Sequence, residues 1–200
     1  MTPEDKASTK SANHTSSVAN DREAGTTISG ESSEQVLVEL VGKPVSASRS
    51  EMVEVVLPND ANPLGYILGG RVMHLMDIAA AIAAHRHSSG HVVTASVDYV
   101  DFRHSIKVGE LIILKSSVNR AFSTSMEVGV KVFSESTFTG EHKHTSSAYL
   151  TFVAIDAQRK PRAVPPLILE TDEDRRRWAD AEARRKIRLA HRYKKQGERK

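Results

Sequence analysis

The sequence predicts an α+β fold in which an antiparallel sheet wraps around one long central helix and a second helix follows at the C-terminal end. Three observations support this prediction: an apolar helical repeat, four strand-like segments after it, and a charged helical segment at the end of the chain. Only short connections separate the four segments, so neighbouring strands are expected to be antiparallel.

The elements of the predicted domain begin with a strand over residues 52–57. Residues 58–65 are rich in Pro, Asn, Asp and Gly and predict a loop. Gly69-Gly70 then opens a helix that should end near His87, with apolar side chains at three- and four-residue steps. Its many alanines make this helix slim, so a sheet can pack closely around it.

The predicted strands after the helix share a high content of β-branched and aromatic residues, and they cover residues 91–102, 111–119, 124–133 and 145–155. Gly109 and Gly140 mark turns between them. Thr171 precedes three acidic residues and is the expected N-cap of the last helix. Trp178 is the expected anchor of that helix on the domain.

Composition divides the chain of 200 residues into three parts. Residues 1–34 are polar and rich in Ser and Thr, which predicts a disordered tail. Residues 35–170 form the predicted domain, and residues 171–200 form a basic helix and tail. The longest mainly apolar stretch covers residues 78–84, so no membrane span is expected. Without cysteines or an apolar leader segment, a cytoplasmic location is favoured.

The net charge of +3 is concentrated at the C-terminal end. Residues 171–200 hold 12 Lys and Arg against 6 Asp and Glu, whereas the rest holds 16 against 19. A solvated basic helix is the favoured interpretation, and we expect no nucleic-acid partner. A contact with the phosphates of a nucleotide-bearing substrate is a further alternative.

The start of the central helix carries the residues with the clearest chemical potential. Backbone N–H groups at Gly69 and Gly70 lack helical acceptors and could stabilise an oxyanion. Asp77 lies seven residues after Gly70, roughly 10 Å along the same helix face. A carboxylate among Ala, Leu and Met is costly unless it is paired or functional. The pattern alone leaves open a surface carboxylate at Asp77 and a simple turn residue at Asn62.

Residues 57–77 resemble the single-domain acyl-CoA thioesterases of the hotdog superfamily, in the branch of the cytosolic acyl-CoA hydrolases. The shared features are the turn from Asn62 to Gly65, the Gly69-Gly70 pair and Met76-Asp77. Further similar segments follow in the same order, at residues 93–98, 108–109, 124–128, 151–154 and 164–165. The similarity extends from about residue 51 to about residue 188.

The resemblance implies a hotdog fold and hydrolysis of a fatty acyl-CoA to the free acid and CoA, a reaction of fatty acid metabolism. Asp77 would be the general base or nucleophile, and Asn62 of the partner subunit would orient water or the carbonyl. Gly69 and Gly70 would form the oxyanion hole. The oligomer would be a homodimer of hotdogs that assembles further into a homohexamer, a trimer of dimers.

The resemblance also suggests substrate-binding residues, namely Thr94, Ala95, Ser96, Arg71, Arg120, Ser123, Thr124 and Ser125. The first three would contact the pantetheine arm, and the two arginines are candidates for the CoA phosphates or ordinary surface residues. No cofactor is expected, because CoA is part of the substrate. No metal is expected either, because His85 and His87 would point in different directions on a helix, and because no third ligand is suggested beside His142 and His144.

Two alternative functions remain open at this point. Another hotdog enzyme, such as an enoyl-CoA hydratase, would carry a His five residues after an Asp, but Ile82 follows Asp77 at that spacing and Gly65 follows Asp60. A non-catalytic acyl-CoA-binding regulatory module would bind the thioester without releasing CoA.

Overall fold

The computed structural model describes residues 40–197. The predicted disordered tail and the apolar start of the domain at residues 35–38 lie outside the described residues. The described elements in chain order are β1 Lys43–Pro44, β2 Ser50–Val55, α1 Gly69–Ser88, β3 Val92–Val97, β4 Asp101–Phe102, β5 Leu111–Ala121, β6 Ser125–Glu135, β7 His142–Ala154, β8 Leu167–Ile168 and α2 Asp172–Gly197. Two short 3-10 helices, Val45–Ser48 and Pro58–Asp60, flank β2.

The main sheet has six strands, in the order β2-β5-β6-β7-β3, with β4 paired to the first half of β7. All of its pairs are antiparallel, which confirms the predicted fold class. Helix α1 packs against β2, β3, β5, β6 and β7, so the sheet surrounds it. A separate parallel pair of β1 and β8, which the sequence did not predict, joins the two ends of the domain.

The hydrophobic core lies between α1 and the inner face of this sheet. Ala79, Ala80 and Ala83 are fully buried along the helix. The facing side chains alternate along the strands, as a sheet with one buried face requires, and include Leu114, Met126, Val128, Val130, Leu150 and Phe152. The slim helix predicted from the alanines is therefore what allows the sheet to approach closely.

Strand β3 forms an edge of the sheet and differs from its prediction. The predicted strand at residues 91–102 is broken into β3 and β4, and the register of β3 shifts between Thr94 and Ser96. Ala95 is thereby left out of the ladder as a bulge. Val93 and Val97 are about half exposed, at 45% and 52%. The predicted last strand also begins three residues earlier, at His142.

Helix α2 covers the outer face of the sheet. Its first turn is a reciprocal cap, because Asp174 N–H donates to Thr171 Oγ1 (3.1 Å) and Thr171 N–H donates to Asp174 Oδ2 (3.0 Å). The Arg120 guanidinium stacks on the Trp178 ring at 3.5 Å, in agreement with the anchoring role predicted for Trp178. Among residues 40–197, neither helix has the length and apolar composition required to cross a membrane.

Candidate active site

The loop before α1 fixes the side chain of Asn62. Its Oδ1 accepts hydrogen bonds from the backbone N–H groups of Leu64 (3.0 Å) and Tyr66 (3.2 Å). Gly65 completes the turn at a φ of +79°, a conformation that favours glycine. Because both bonds use Oδ1, the NH2 group of Asn62 is left to donate to a ligand. The turn therefore holds the NH2 group of Asn62 in a fixed position, where it remains available as a donor.

The first residues of α1 present bare backbone. Arg71 and Val72 N–H both donate to Leu68 C=O, whereas the N–H groups of Gly69 and Gly70 come too early for a helical acceptor. A Cβ added at Gly70 would meet no atom within 4 Å, so a ligand can approach there. These N–H groups lie at the positive end of the helix dipole, where an oxyanion is stabilised.

Asp77 lies two turns further along α1 and is partly buried. Thr94 Oγ1 on β3 donates to Asp77 Oδ1 at 2.8 Å, which fixes the carboxylate against the edge strand. The other carboxylate oxygen, Oδ2, makes no hydrogen bond to any of the described residues. A partly buried carboxylate with one oxygen oriented by Thr94 and the other available to a ligand fits the functional interpretation of Asp77.

A cavity of about 290 Å³ adjoins the start of α1. Its lining includes Asn62 and Gly69, together with the described residues Tyr66, Ile67, Val72, Phe102, Arg103, His104, Ser105, Ile106, Thr145 and Ser146. Asp77 and Thr94 are absent from this lining and lie instead on the partly exposed face beside β3. One protomer therefore presents the two halves of the predicted site at separate places.

The other predicted contacts lie at one end of three neighbouring strands. Thr94 pairs with Phe152, and Phe152 pairs with Met126 at the start of β6. The turn at residues 123–125 immediately precedes that position and packs on the end of β7 through a bond from Ala154 N–H to Thr124 C=O (3.0 Å). The predicted pantetheine contacts on β3 and the Ser-Thr-Ser turn thus share one end of the sheet.

The two arginines predicted for the CoA phosphates have protein partners. Arg71 pairs with Glu54 (3.0 Å) and Asp60 (3.1 Å). Arg120 pairs with Glu182 (2.9 Å) on α2. Phosphate binding would compete with these ion pairs, and for both residues it stays a prediction.

The histidine pairs do not form a metal centre within residues 40–197, where no cluster of three or more His, Asp or Glu is close enough to hold an ion. His85 is exposed, whereas His87 is buried and its Nε2 lies 2.9 Å from Pro165 C=O. Burial lowers the pKa of His87, against the opposing effect of that carbonyl, and the Lys43 charge lowers it further. His87 is therefore a neutral structural residue at neutral pH.

Ser146 is one of several cavity residues that were not predicted from the sequence. It is 1% exposed, and its hydroxyl finds no hydrogen-bond partner among the described residues. It lies opposite Phe102 in the β4–β7 ladder. Thr145, Ser146 and Ser147 are consecutive in the sequence, and nothing in their order indicates which hydroxyl is unpaired.

Comparison with known proteins places these features in a family. Residues 64–140 match the family described as the thioesterase superfamily. Acyl-coenzyme A thioesterase 11 of Mus musculus is 39% identical over 152 residues, which cover 75% of this chain and 25% of the mouse protein. The chain spans only about a quarter to two fifths of the length of several mouse and rat relatives.

Solved structures are similar over nearly their whole length. An acyl-CoA hydrolase from Staphylococcus aureus, in complex with butyryl coenzyme A, coenzyme A and coenzyme A disulfide, has a TM-score of 0.73 and 35% identity, covering 78% of this chain and 94% of the other. An apo-hexameric acyl-CoA thioesterase has a TM-score of 0.74 and 41% identity, covering 76% and 97%. The S. aureus protein has also been solved with an aspartate, an asparagine or a threonine replaced by alanine. With relatives of 35% and 41% identity covered over 94% and 97% of their length, the chain belongs to the thioesterase superfamily and has its hotdog fold.

Proposed function

We propose that the protein is an acyl-CoA hydrolase, which converts a fatty acyl-CoA and water to the free acid and CoA. The observation that carries this proposal is the Asp77 carboxylate, oriented by Thr94 at 2.8 Å and free at its second oxygen. The S. aureus relative bound to butyryl coenzyme A supports the substrate class. Variants of that relative replace the same three residue types that Asp77, Asn62 and Thr94 represent here.

The carboxylate can act in two ways on a thioester. As a general base, Asp77 Oδ2 takes a proton from a water molecule whose oxygen attacks the carbonyl carbon. As a nucleophile, the same oxygen attacks directly and forms an anhydride that water then hydrolyses. In both cases the bond from Thr94 to Oδ1 keeps Oδ2 directed at the substrate.

The negative charge that develops on the carbonyl oxygen requires hydrogen-bond donors. The N–H groups of Gly69 and Gly70 supply them at the positive end of the α1 dipole. The Asn62 NH2 group, which its turn leaves unbonded, is the third donor and orients the carbonyl or the attacking water. Collapse of the tetrahedral intermediate breaks the C–S bond, and the CoA sulfur leaves and takes up a proton.

The complete site needs a second protomer, because Asn62 and Asp77 lie in separate places within one chain. Edge strand β3 presents Val93, Thr94 and Val97 to solvent, and an edge strand of this kind pairs readily with a copy of itself. Pairing at this edge would bring Asp77 of one protomer to the Asn62 cavity of its partner. The relative described as hexameric supports further assembly of such dimers into a trimer of dimers.

Complementation between two inactive variants tests this arrangement. We expect Asp77→Asn to lower kcat/KM for acyl-CoA by about 10³-fold and Asn62→Ala to lower it by about 10²-fold. Mixing the unfolded variants and refolding them together gives mixed dimers with one intact site. Thiol release should then recover to about a quarter of the wild-type rate, because half of the dimers are mixed and one of their two sites is complete.

Glu141→Gln, at an exposed turn, is the matched control and should keep full activity. Wild-type turnover by Asp77→Asn would refute the role of the carboxylate. No recovery on mixing, with dimers shown by size exclusion, would place both groups in one protomer. Acyl-CoA binding without release of CoA would support the regulatory-module alternative, and loss of enoyl absorbance without thiol release would support a hydratase.

A cytoplasmic location stays a prediction that cell fractionation can test.

A further inference from the structure

We propose that Ser146 recognises a hydrogen-bonding oxygen on the acyl group, so that the protein prefers oxygenated acyl-CoAs to plain alkyl ones of the same chain length. The proposal rests on the thioesterase function argued above and adds the substrate class. It starts from a buried hydroxyl with no explained role.

The hydroxyl of Ser146 stands out from its two neighbours on β7. Thr145 Oγ1 donates to Val132 C=O at 3.1 Å, and Ser147 Oγ lies 2.9 Å from His144 Nε2. Ser146, at 1% exposure, has no such partner within residues 40–197. A buried hydroxyl without a hydrogen bond is unfavourable, and few are tolerated in folded proteins. A ligand that completes the bond would explain why this one is kept.

The cavity brings the residue Ser146 next to the acyl group. Ser146 lines the same space of about 290 Å³ as Asn62 and Gly69, the groups assigned to the thioester carbonyl. The acyl chain leaves that carbonyl carbon directly, so its first carbons lie nearest to this lining. The volume is at the small end for ligand pockets, so the part of the site in one protomer has room for the first carbons of the chain.

The wall around Ser146 is mixed. Phe102, the register partner of Ser146, and the side chains of Ile67, Val72 and Ile106 form its apolar part, and its polar part includes Tyr66, Arg103, His104 and Ser105. An alkyl chain fills such a space but leaves Ser146 unpaired. A hydroxyl or keto oxygen on the chain satisfies it, since a serine hydroxyl both donates and accepts.

Three acyl-CoAs of equal chain length test the proposal: butyryl-CoA, 3-hydroxybutyryl-CoA and acetoacetyl-CoA. For the wild type we expect kcat/KM for at least one oxygenated substrate to exceed that for butyryl-CoA by about tenfold, the effect of one buried hydrogen bond. In Ser146→Ala this ratio should fall to about one. Thr151→Val is the matched control, because the Thr151 hydroxyl is also unpartnered and on β7 but does not line the cavity. Its ratio should stay at the wild-type value.

The outcomes separate this proposal from the proposed function. Equal ratios in wild type and Ser146→Ala, or a wild-type preference for butyryl-CoA, overturn the role of Ser146 while leaving hydrolysis intact. If the wild type releases CoA from none of the three, hydrolysis fails. In that case the Kd values of the same three ligands are measured by calorimetry, and equal affinities would overturn the role of Ser146. Thermal unfolding checks folding, and Ser146→Ala should unfold no earlier than wild type, since it removes an unpaired hydroxyl.

Discussion

Helices α1 and α2 lie on opposite faces of one sheet and are held there by different forces. Helix α1 is buried through apolar side chains, with Ala79, Ala80 and Ala83 at zero exposure. Helix α2 is attached mainly through charges: Arg184 binds Glu127 on β6 at 2.7 Å and Arg188 binds Asp98 at 2.7 Å. The Arg184 guanidinium also stacks on the Tyr149 ring at 3.6 Å.

The hydrogen bonds that a polar group makes distinguish structural from functional residues better than its degree of burial does. Glu127 is fully buried, but Arg184 and the Asn119 amide both donate to its carboxylate. Asp77 is less buried, yet among residues 40–197 one of its oxygens has no hydrogen-bond partner, and neither do the NH2 group of Asn62 and the hydroxyl of Ser146. The side chains assigned to the substrate therefore keep unused hydrogen-bonding capacity, whereas the buried carboxylate that holds α2 has its charge matched.

The largest expected effect on stability comes from breaking the ion pair under α2. Glu127→Gln keeps the shape but leaves Arg184 without its carboxylate, and we expect the free energy of unfolding to fall by about 3 kcal/mol. Urea denaturation measures this loss. Glu173→Gln is the control on the exposed surface, where hydrogen bonds from Arg176 and Arg177 lower the Glu173 pKa to about 2. Solvent screens the ion pairs of Glu173, so Glu173→Gln should lower the free energy of unfolding much less than Glu127→Gln does. Equal losses would contradict the distinction between the two ion pairs.

The α1 side of the fold was more predictable from sequence than the edges of the sheet. Gly69-Gly70 and the alanine repeat predicted α1 within a residue of its observed end at Ser88. The break between β3 and β4 was missed, because Ala95 and the residues around Tyr99 carry no Pro or Gly to indicate it. A bulge depends on how the edge strand fits β7, which local composition does not encode.

The site was predictable in its residue types but not in its connections. The Asn62 turn and the bare helix start follow from local chemistry, as the observed bonds illustrate. The bond from Thr94 to Asp77 joins residues 17 positions apart in different elements, so periodicity could not reveal it. The same holds for the ion pairs of Arg71 and Arg120, whose partners are set by tertiary packing.

A second prediction tests the close fit of the sheet around α1. Ala83→Leu adds a larger side chain at a position with no exposed surface, and we expect a loss of about 2 kcal/mol in the free energy of unfolding, as is typical of overpacked cores. Ala179→Leu makes the same change on the exposed face of α2 and should leave stability nearly unchanged. A neutral effect at Ala83 would mean that α1 is loosely packed and that the alanines do not set its distance from the sheet.

The smallest expected effect is on the pH dependence of stability, and it arises from His87 on α1. Burial holds the pKa of His87 below its ordinary 6.5, so in acid the unfolded chain binds a proton that the native state resists. The contribution of His87 to the free energy of unfolding is fully present above pH 6.5. Below that pH it falls by at most about 1.4 kcal/mol per pH unit. Urea denaturation at pH 7.5 and 5.5 should show a steeper loss for wild type than for His87→Gln, whose amide can still donate to Pro165. His85→Gln, at an exposed position of the same helix turn, should keep the wild-type pH dependence. Parallel pH profiles for wild type and His87→Gln would show instead that His87 is protonated within the folded core.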